Sequence, residues 1–237
     1  MPSIPKIFSV QPSSLPFLGD TATPDRPPSR YVERLFDDYA DRFETALVEK
    51  LDYSVPQKLA ALVSATGRHY ACAVDLGCGT GLLGPEIHGR VGRLEGFDLS
   101  QNMLAKAAEK AVYDHLAQAD LSLASDLSGI FADRPRGRAD LVTAADVLMY
   151  LGNLESVFAI IDELAAAGAD LAFSVEDAGE GETFHLASSL RYAHSEAYVR
   201  MLLARHGFEI LDIAKTVIRK DGGKPVAGIL FLTRKPS

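Results

Sequence analysis

Apolar positions recur along this chain at two different periods, and the change from one to the other marks out its architecture. From Tyr31, residues Leu35, Phe36, Tyr39, Phe43, Leu47 and Leu51 return at helical spacing with Asp and Glu between them, which predicts an amphipathic helix. A second short helix follows Pro56 and carries Leu59, Leu62 and Val63. Beyond Gly67, short apolar runs at 71–76, 93–98, 115–119, 139–144 and 170–175 read as buried strands. Helices alternate with them. One spans 82–88, and Ser100 caps another that carries Met103, Leu104, Ala107 and Ala111. Asn153 caps a helix that runs to Leu164 and is closed by Gly168, and Ser195 caps one that ends at Gly207. Two final β runs, 208–217 and 226–233, flank a turn with Asp221-Gly222-Gly223. Strand–helix alternation with a terminal hairpin predicts an α/β fold: a mainly parallel sheet with one antiparallel member and helices on both faces.

Residues 1–30 stand apart because they hold seven of the twelve prolines, and they read as an extended arm. The chain thus divides into an arm at 1–30, a helical segment at 31–66 and an α/β domain at 67–237. Hydrophobic residues make up 47% of the 237, ample for one core. The formal charge of −8 is spread along the chain and repels a phosphate backbone, which argues against a nucleic-acid partner. Cys72 and Cys78 form no CxxC pair, as expected in a reducing compartment. No apolar run is long enough for a membrane span, and prolines and serines stand where a signal peptide needs apolar residues. A cytoplasmic protein is expected, with no membrane partner. Oligomeric state is not legible.

The strongest chemical signal is Val74-Asp75-Leu76-Gly77-Cys78-Gly79-Thr80-Gly81. A strand that ends in closely spaced glycines lets backbone approach a ligand at the carboxyl edge of the sheet. Two ligands compete for this loop. Gly79-Thr80-Gly81-Leu82-Leu83-Gly84 fits GxGxxG, the dinucleotide fingerprint, with Asp98 at the expected distance downstream. Asp75, two residues before the first glycine, instead suits a cationic or amine-bearing ligand and repels a pyrophosphate.

Asp75-Leu-Gly-Cys-Gly-Thr-Gly81 resembles motif I of class I S-adenosylmethionine-dependent methyltransferases, and Phe97-Asp98-Leu99-Ser100-Gln101-Asn102-Met103-Leu104 resembles their second-strand segment. The resemblance covers roughly 71–233. It implies a Rossmann-like, seven-stranded sheet, S-adenosylmethionine as cofactor and a cofactor site that includes Asp75. It further implies that Gly77 and Gly79 line the methionine and ribose portion, that Asp98 binds the ribose hydroxyls, and that Leu99 and Met103 pack on adenine. Ala119-Asp120-Leu121 resembles the segment where a carboxylate meets the adenine amino group, with Asp120 and Leu121 in the cofactor site, and Ala144 would lie beside the methionine end. Phe36-Asp37-Asp38-Tyr39-Ala40-Asp41-Arg42-Phe43, Leu51-Asp52-Tyr53, Arg191-Tyr192-Ala193-His194-Ser195 and Asp221-Gly-Gly-Lys-Pro225 resemble a bacterial subgroup often described as TPR-containing, although this chain has no TPR region. In related enzymes the N-terminal helix covers the cofactor, which would bring Tyr39 and Phe43 near it as part of a helical lid.

Tyr150, Glu176, His185, Arg191, Tyr192 and His194 fall on the ligand edge of the predicted sheet and are candidates for the substrate side. His194 is the candidate general base, because an imidazole takes a proton near neutral pH. There is no CxxC, HxxxH or EF-hand spacing, so no metal site is expected. Ala144-Ala145-Asp146-Val147 lacks the Asn/Asp-Pro-Pro-aromatic motif of base-amino methyltransferases. Three functions follow from these residues: methylation of an O or N atom of a small molecule, NAD-dependent redox chemistry, or a non-catalytic cofactor-binding module.

Overall fold

A computed structural model describes residues 28–48, 53–181, 183–187 and 191–237; most of the proline-rich arm lies outside the described residues. The elements in chain order begin with α1 (Ser29–Val48), α2 (Val55–Ala65), β1 (Ala73–Leu76), α3 (Gly84–Ile87), β2 (Leu94–Asp98), α4 (Gln101–Glu109) and β3 (His115–Gln118). They continue with β4 (Ala139–Ala144), α5 (Glu155–Leu164), β5 (Ala165–Asp177), β6 (Phe184–Leu186), β7 (Tyr192–His194), α6 (Glu196–Arg205), β8 (Glu209–Asp221) and β9 (Lys224–Arg234).

Strands β3-β2-β1-β4-β5 run parallel in that order, because each crosses to the next through a helix or loop over a sheet face. β9 returns antiparallel to β5, and β8 lies outside it. These seven strands form the expected parallel sheet with its terminal hairpin. Two more enlarge it to nine. Glu176 pairs with Gly228 of β9 and with Ala193 of β7, so β7 occupies the edge of β5 that β4 leaves free beyond Phe173. β6 pairs back on β7. These three-residue strands carry too few positions to show a period of two, so the sequence pattern does not predict them.

Apolar side chains alternate between the two faces. Phe173 packs with α5 and α6 through Phe158, Leu202 and Leu203, whereas Ala172 faces Leu59 and Val63 of α2. Helix α2 is therefore part of the core layer, and of the two described helices in 31–66 it is α1 that lies over the ligand edge, with Tyr53 beside it. Helix α5 passes directly into β5 at Ala165, so Gly168 sits inside a strand with φ +75° and does not close the helix. Ser100 and Ser195 cap their helices, accepting from the backbone N–H of Met103 at 3.1 Å and of Tyr198 at 3.2 Å. In β8 the register slips between Val217 and Arg219, and the successive residues Ile218 and Arg219 are both wholly buried. Such a bulge turns a side chain that would alternate outward back into the protein.

A candidate cofactor and substrate cavity

Residues from six stretches of the chain converge at the carboxyl ends of β1 to β4. Gly77 and Gly79 follow β1 with φ +64° and +55°. A Cβ on Gly77 would lie 2.2 Å from the Val147 side chain, so glycine lets the β1 and β4 loops touch. A Cβ on Gly79 would project into open space, with only Phe43 at 3.9 Å. That space is a cavity of about 1080 Å³ when its open mouth is included. Asp75, Gly77, Gly79, Asp98, Leu99, Met103, Asp120, Leu121, Phe43 and Tyr150 all line it. Ala144 is buried in β4, and the chain reaches the cavity only at the next residues, Ala145 and Asp146. Tyr39 does not line it; its ring meets Phe43 edge-on at 6.0 Å.

Each carboxylate in the wall is held. Asp98 accepts from the N–H of Gly79 and of Ser100, both at 2.9 Å, which ties the glycine loop to the end of β2. Burial raises its pKa to about 6 against the pull of those backbone donors. Asp75 accepts from the hydroxyls of Thr143 and Tyr113, both at 2.8 Å, and burial likewise pushes it up to about 6. Asp120 closes a turn by accepting from Ser122 N–H at 2.9 Å and Ser122 Oγ at 2.6 Å. Thr80 Oγ1, also in the wall, is buried and finds no hydrogen-bond partner among the described residues.

The β4 end of the cavity is assembled from distant parts of the chain. Asp146 has φ +56°, a conformation that costs a non-glycine residue of order 1–3 kcal/mol and persists only where surroundings enforce it. Its N–H donates to Ser174 Oγ at 2.9 Å. Arg219, from the β8 bulge, donates to its two carboxylate oxygens at 2.9 and 3.0 Å and also bonds Glu176. Tyr53 and Tyr150 stand beside this group, and burial raises both phenols, Tyr150 to about 12. Neither motif nor periodicity assigns a role to Asp146, Tyr53, Tyr113 or Arg219. No local pattern marks them, since the paired residues lie far apart in the chain: Asp75 and Tyr113 by 38 residues, Asp146 and Arg219 by 73.

The remaining substrate candidates are elsewhere. Glu176 is buried against Arg219 rather than in the cavity wall. Arg191 is wholly buried and pairs with Asp221 at 3.2 Å, while Tyr192 packs edge-on against Phe184 at 6.2 Å. His185 is half-buried in β6. His194 requires the clearest correction. It is fully buried, outside the cavity wall, and its Nε2 lies 2.9 and 3.0 Å from the carbonyl oxygens of Leu151 and Gly152. Two acceptors demand that Nε2 carry the proton, and burial lowers the imidazole pKa to about 4. This histidine braces the chain after β4 and is not positioned as a base.

A parallel sheet with a glycine loop after its first strand, an acid after its second and an antiparallel hairpin at its end defines the fold of the class I S-adenosylmethionine-dependent methyltransferases. Residues 74–171 match the family model described as a methyltransferase domain. The ubiquinone biosynthesis O-methyltransferase of Methylococcus capsulatus is 31% identical over 118 residues, 50% of this chain and 47% of the relative. The chain thus spans about half the length of the curated relative it matches. Among solved structures, magnesium protoporphyrin IX methyltransferase from Synechocystis PCC 6803, with bound S-adenosylhomocysteine, aligns with TM-score 0.64 at 19% identity. That alignment covers 87% of this chain and 99% of the other. The cyclase SpnF aligns with TM-score 0.66 at 16% identity over 91% and 99%. At these identities the structures speak for the fold, which hosts more than one chemistry.

Proposed function

We propose that this protein binds S-adenosylmethionine in the cavity and transfers its methyl group to an N or O atom of a small molecule. The observation that carries the reading is the charge of the wall. Asp75, Asp98 and Asp120 line the cofactor part of the cavity, and no Lys or Arg lines the cavity among the described residues. Such a wall attracts a sulfonium and an ammonium, and it repels the pyrophosphate that an NAD reading of the same glycines requires. The residues fit the group in shape as well. Gly79 leaves room where a side chain would intrude, and the buried Thr80 hydroxyl is short of a partner that a bound ligand can provide.

In this reading Asp98 receives the ribose hydroxyls, Leu99 and Met103 flank the adenine, and Asp120 and Leu121 close that end. Gly77 and Ala145 border the methionine portion. The sulfonium of the bound cofactor supplies an intrinsically activated methyl group. The protein's task is alignment and exclusion of water, to which Phe36, Phe43 and Tyr150 over the cavity contribute. The relative's O-methyltransferase name favours a small-molecule acceptor, and the acidic wall disfavours a nucleic acid. Among the described residues no helix is long and apolar enough to cross a membrane.

Calorimetry with S-adenosylhomocysteine and with NAD tests the reading. S-adenosylhomocysteine should bind and NAD should not, and Asp98→Ala should weaken binding by about 1.5–3 kcal/mol, the range for hydrogen bonds to a charged group. Binding of NAD in preference would overturn the proposal.

A further inference from the structure

The β4 end of the cavity carries more negative charge than its own fold neutralises. Arg219 is one guanidinium between two carboxylates, Asp146 and Glu176, and all three are almost wholly buried, with side chains 0%, 7% and 5% exposed. The neighbouring Arg191 is paired with Asp221. Arg191 also acts on Glu176, so two guanidiniums stand among three carboxylates, Asp146, Glu176 and Asp221, which leaves one negative charge in excess. Asp146 is the group's only member in the cavity wall, so the charge is presented there. Around Asp146 the wall is aromatic. Tyr53 and Tyr150 stand beside Asp146, and Phe36 meets Tyr150 edge-on at 5.0 Å. A carboxylate set among aromatic faces is the chemistry that recognises an organic ammonium, through ion pairing and cation–π attraction together. The left-handed backbone of Asp146 and the bulge that aims Arg219 are two departures from regular geometry directed at the same carboxylate.

We propose that Asp146 receives the amine of the methyl acceptor, so that the protein acts on a small aromatic or aliphatic amine and excludes carboxylates and phosphates. This rests on the methyltransferase reading above. The amine enters as an ammonium and releases a proton to solvent, which frees its lone pair. The lone pair attacks the methyl carbon; the nitrogen–carbon bond forms as the carbon–sulfur bond breaks, and that electron pair remains on sulfur. Positive charge thereby moves from sulfur to nitrogen, and the methylated ammonium later loses its extra proton to water. Asp146 accepts an N–H hydrogen bond throughout and stabilises the charge that grows on nitrogen. Arg219 is a positioning residue, which holds Asp146 in its strained conformation.

The test uses three probes of matched size, phenethylamine, 2-phenylethanol and phenylacetate, titrated at equal concentrations against full-length protein saturated with S-adenosylhomocysteine. Phenethylamine should bind at least about tenfold tighter than phenylacetate, and Asp146→Asn should reduce that ratio to about threefold or less while S-adenosylhomocysteine affinity stays within about twofold. Preference for the alcohol or the acid, equal binding, or no binding of any probe overturns the proposal. So does a tenfold or greater loss of S-adenosylhomocysteine affinity in Asp146→Asn, roughly 1.4 kcal/mol, because the carboxylate would then hold the cofactor's own ammonium. If the variant does not fold, the ranking of probes on the unaltered protein decides alone. Failure of S-adenosylhomocysteine to bind at all would reject the methyltransferase reading separately.

Discussion

His194 stacks on Tyr198 with ring centroids 6.1 Å apart and holds the carbonyls of Leu151 and Gly152, so its chemistry is that of a buried neutral donor. Its pKa is about 4 in the folded protein and about 6.5 when unfolded. Between those values the unfolded chain binds the extra proton. The resulting stability is complete above pH 6.5 and is lost as pH falls toward 4, in total roughly 3 kcal/mol. Asp75 and Asp98, raised to about 6 from an ordinary 3.8, act in the opposite sense: their contribution is present at low pH and lost as pH rises through about 4 to 6. The histidine's part is therefore read from the difference between proteins. His194→Ala should lower the melting temperature more at pH 7 than at pH 4.5, with S-adenosylhomocysteine affinity unchanged. A pH-independent loss, or a large drop in cofactor affinity, would assign the residue to something other than packing.

Helix α1 is attached to the body through apolar Val32, Phe36 and Phe43 and through polar contacts with α4 and its flanks. Asp37 accepts from Ser100 Oγ at 2.5 Å and from the N–H of Asn102 at 3.3 Å, and Asn102 Nδ2 donates to the Asp37 carbonyl at 3.1 Å. Gln118 reaches Glu33 at 2.8 Å, and Lys106 pairs with Asp41 at 3.2 Å. Exposed contacts of this kind contribute little each, while Asp37 gains from its place at the α4 N-terminus. Asp37→Ala should weaken docking by about 1–2 kcal/mol. Faster amide exchange in α1 and faster release of S-adenosylhomocysteine should follow, measured by exchange mass spectrometry and stopped flow. An unchanged release rate would show that α1 does not gate the cavity. Helix α2, expected from sequence as part of the same lid, buries Val55, Leu59 and Val63 against the sheet. Periodicity reveals that a helix has an apolar face but not which surface the face will meet.

Across the whole molecule, the terminal hairpin connects the far edge of the sheet with the cavity. β8 has β9 as its one strand partner, yet its bulge sends Arg219 inward to Asp146, 73 residues earlier in the chain. Arg219→Met leaves two buried carboxylates unpaired and should destabilise the fold by about 3–5 kcal/mol in urea denaturation. Adding Glu176→Gln should restore part of that loss, because one of the stranded charges is removed. A double variant no more stable than the single one would mean that Arg219 acts through packing instead. The features that sequence alone determined are those whose partners are close along the chain. Ser100 and Ser195 cap helices through an N–H three residues on, the glycines after β1 serve their own turn, and Asp98 lies one strand and one helix beyond them. The interior of the cavity was decided by tertiary structure. Tyr113 reaches Asp75, Arg219 reaches Asp146 and His194 is enclosed beneath β6 and the chain after β4 only once the sheet closes. Local geometry is dictated by backbone dihedrals and near neighbours, whereas burial and charge pairing depend on which distant surfaces exclude water together.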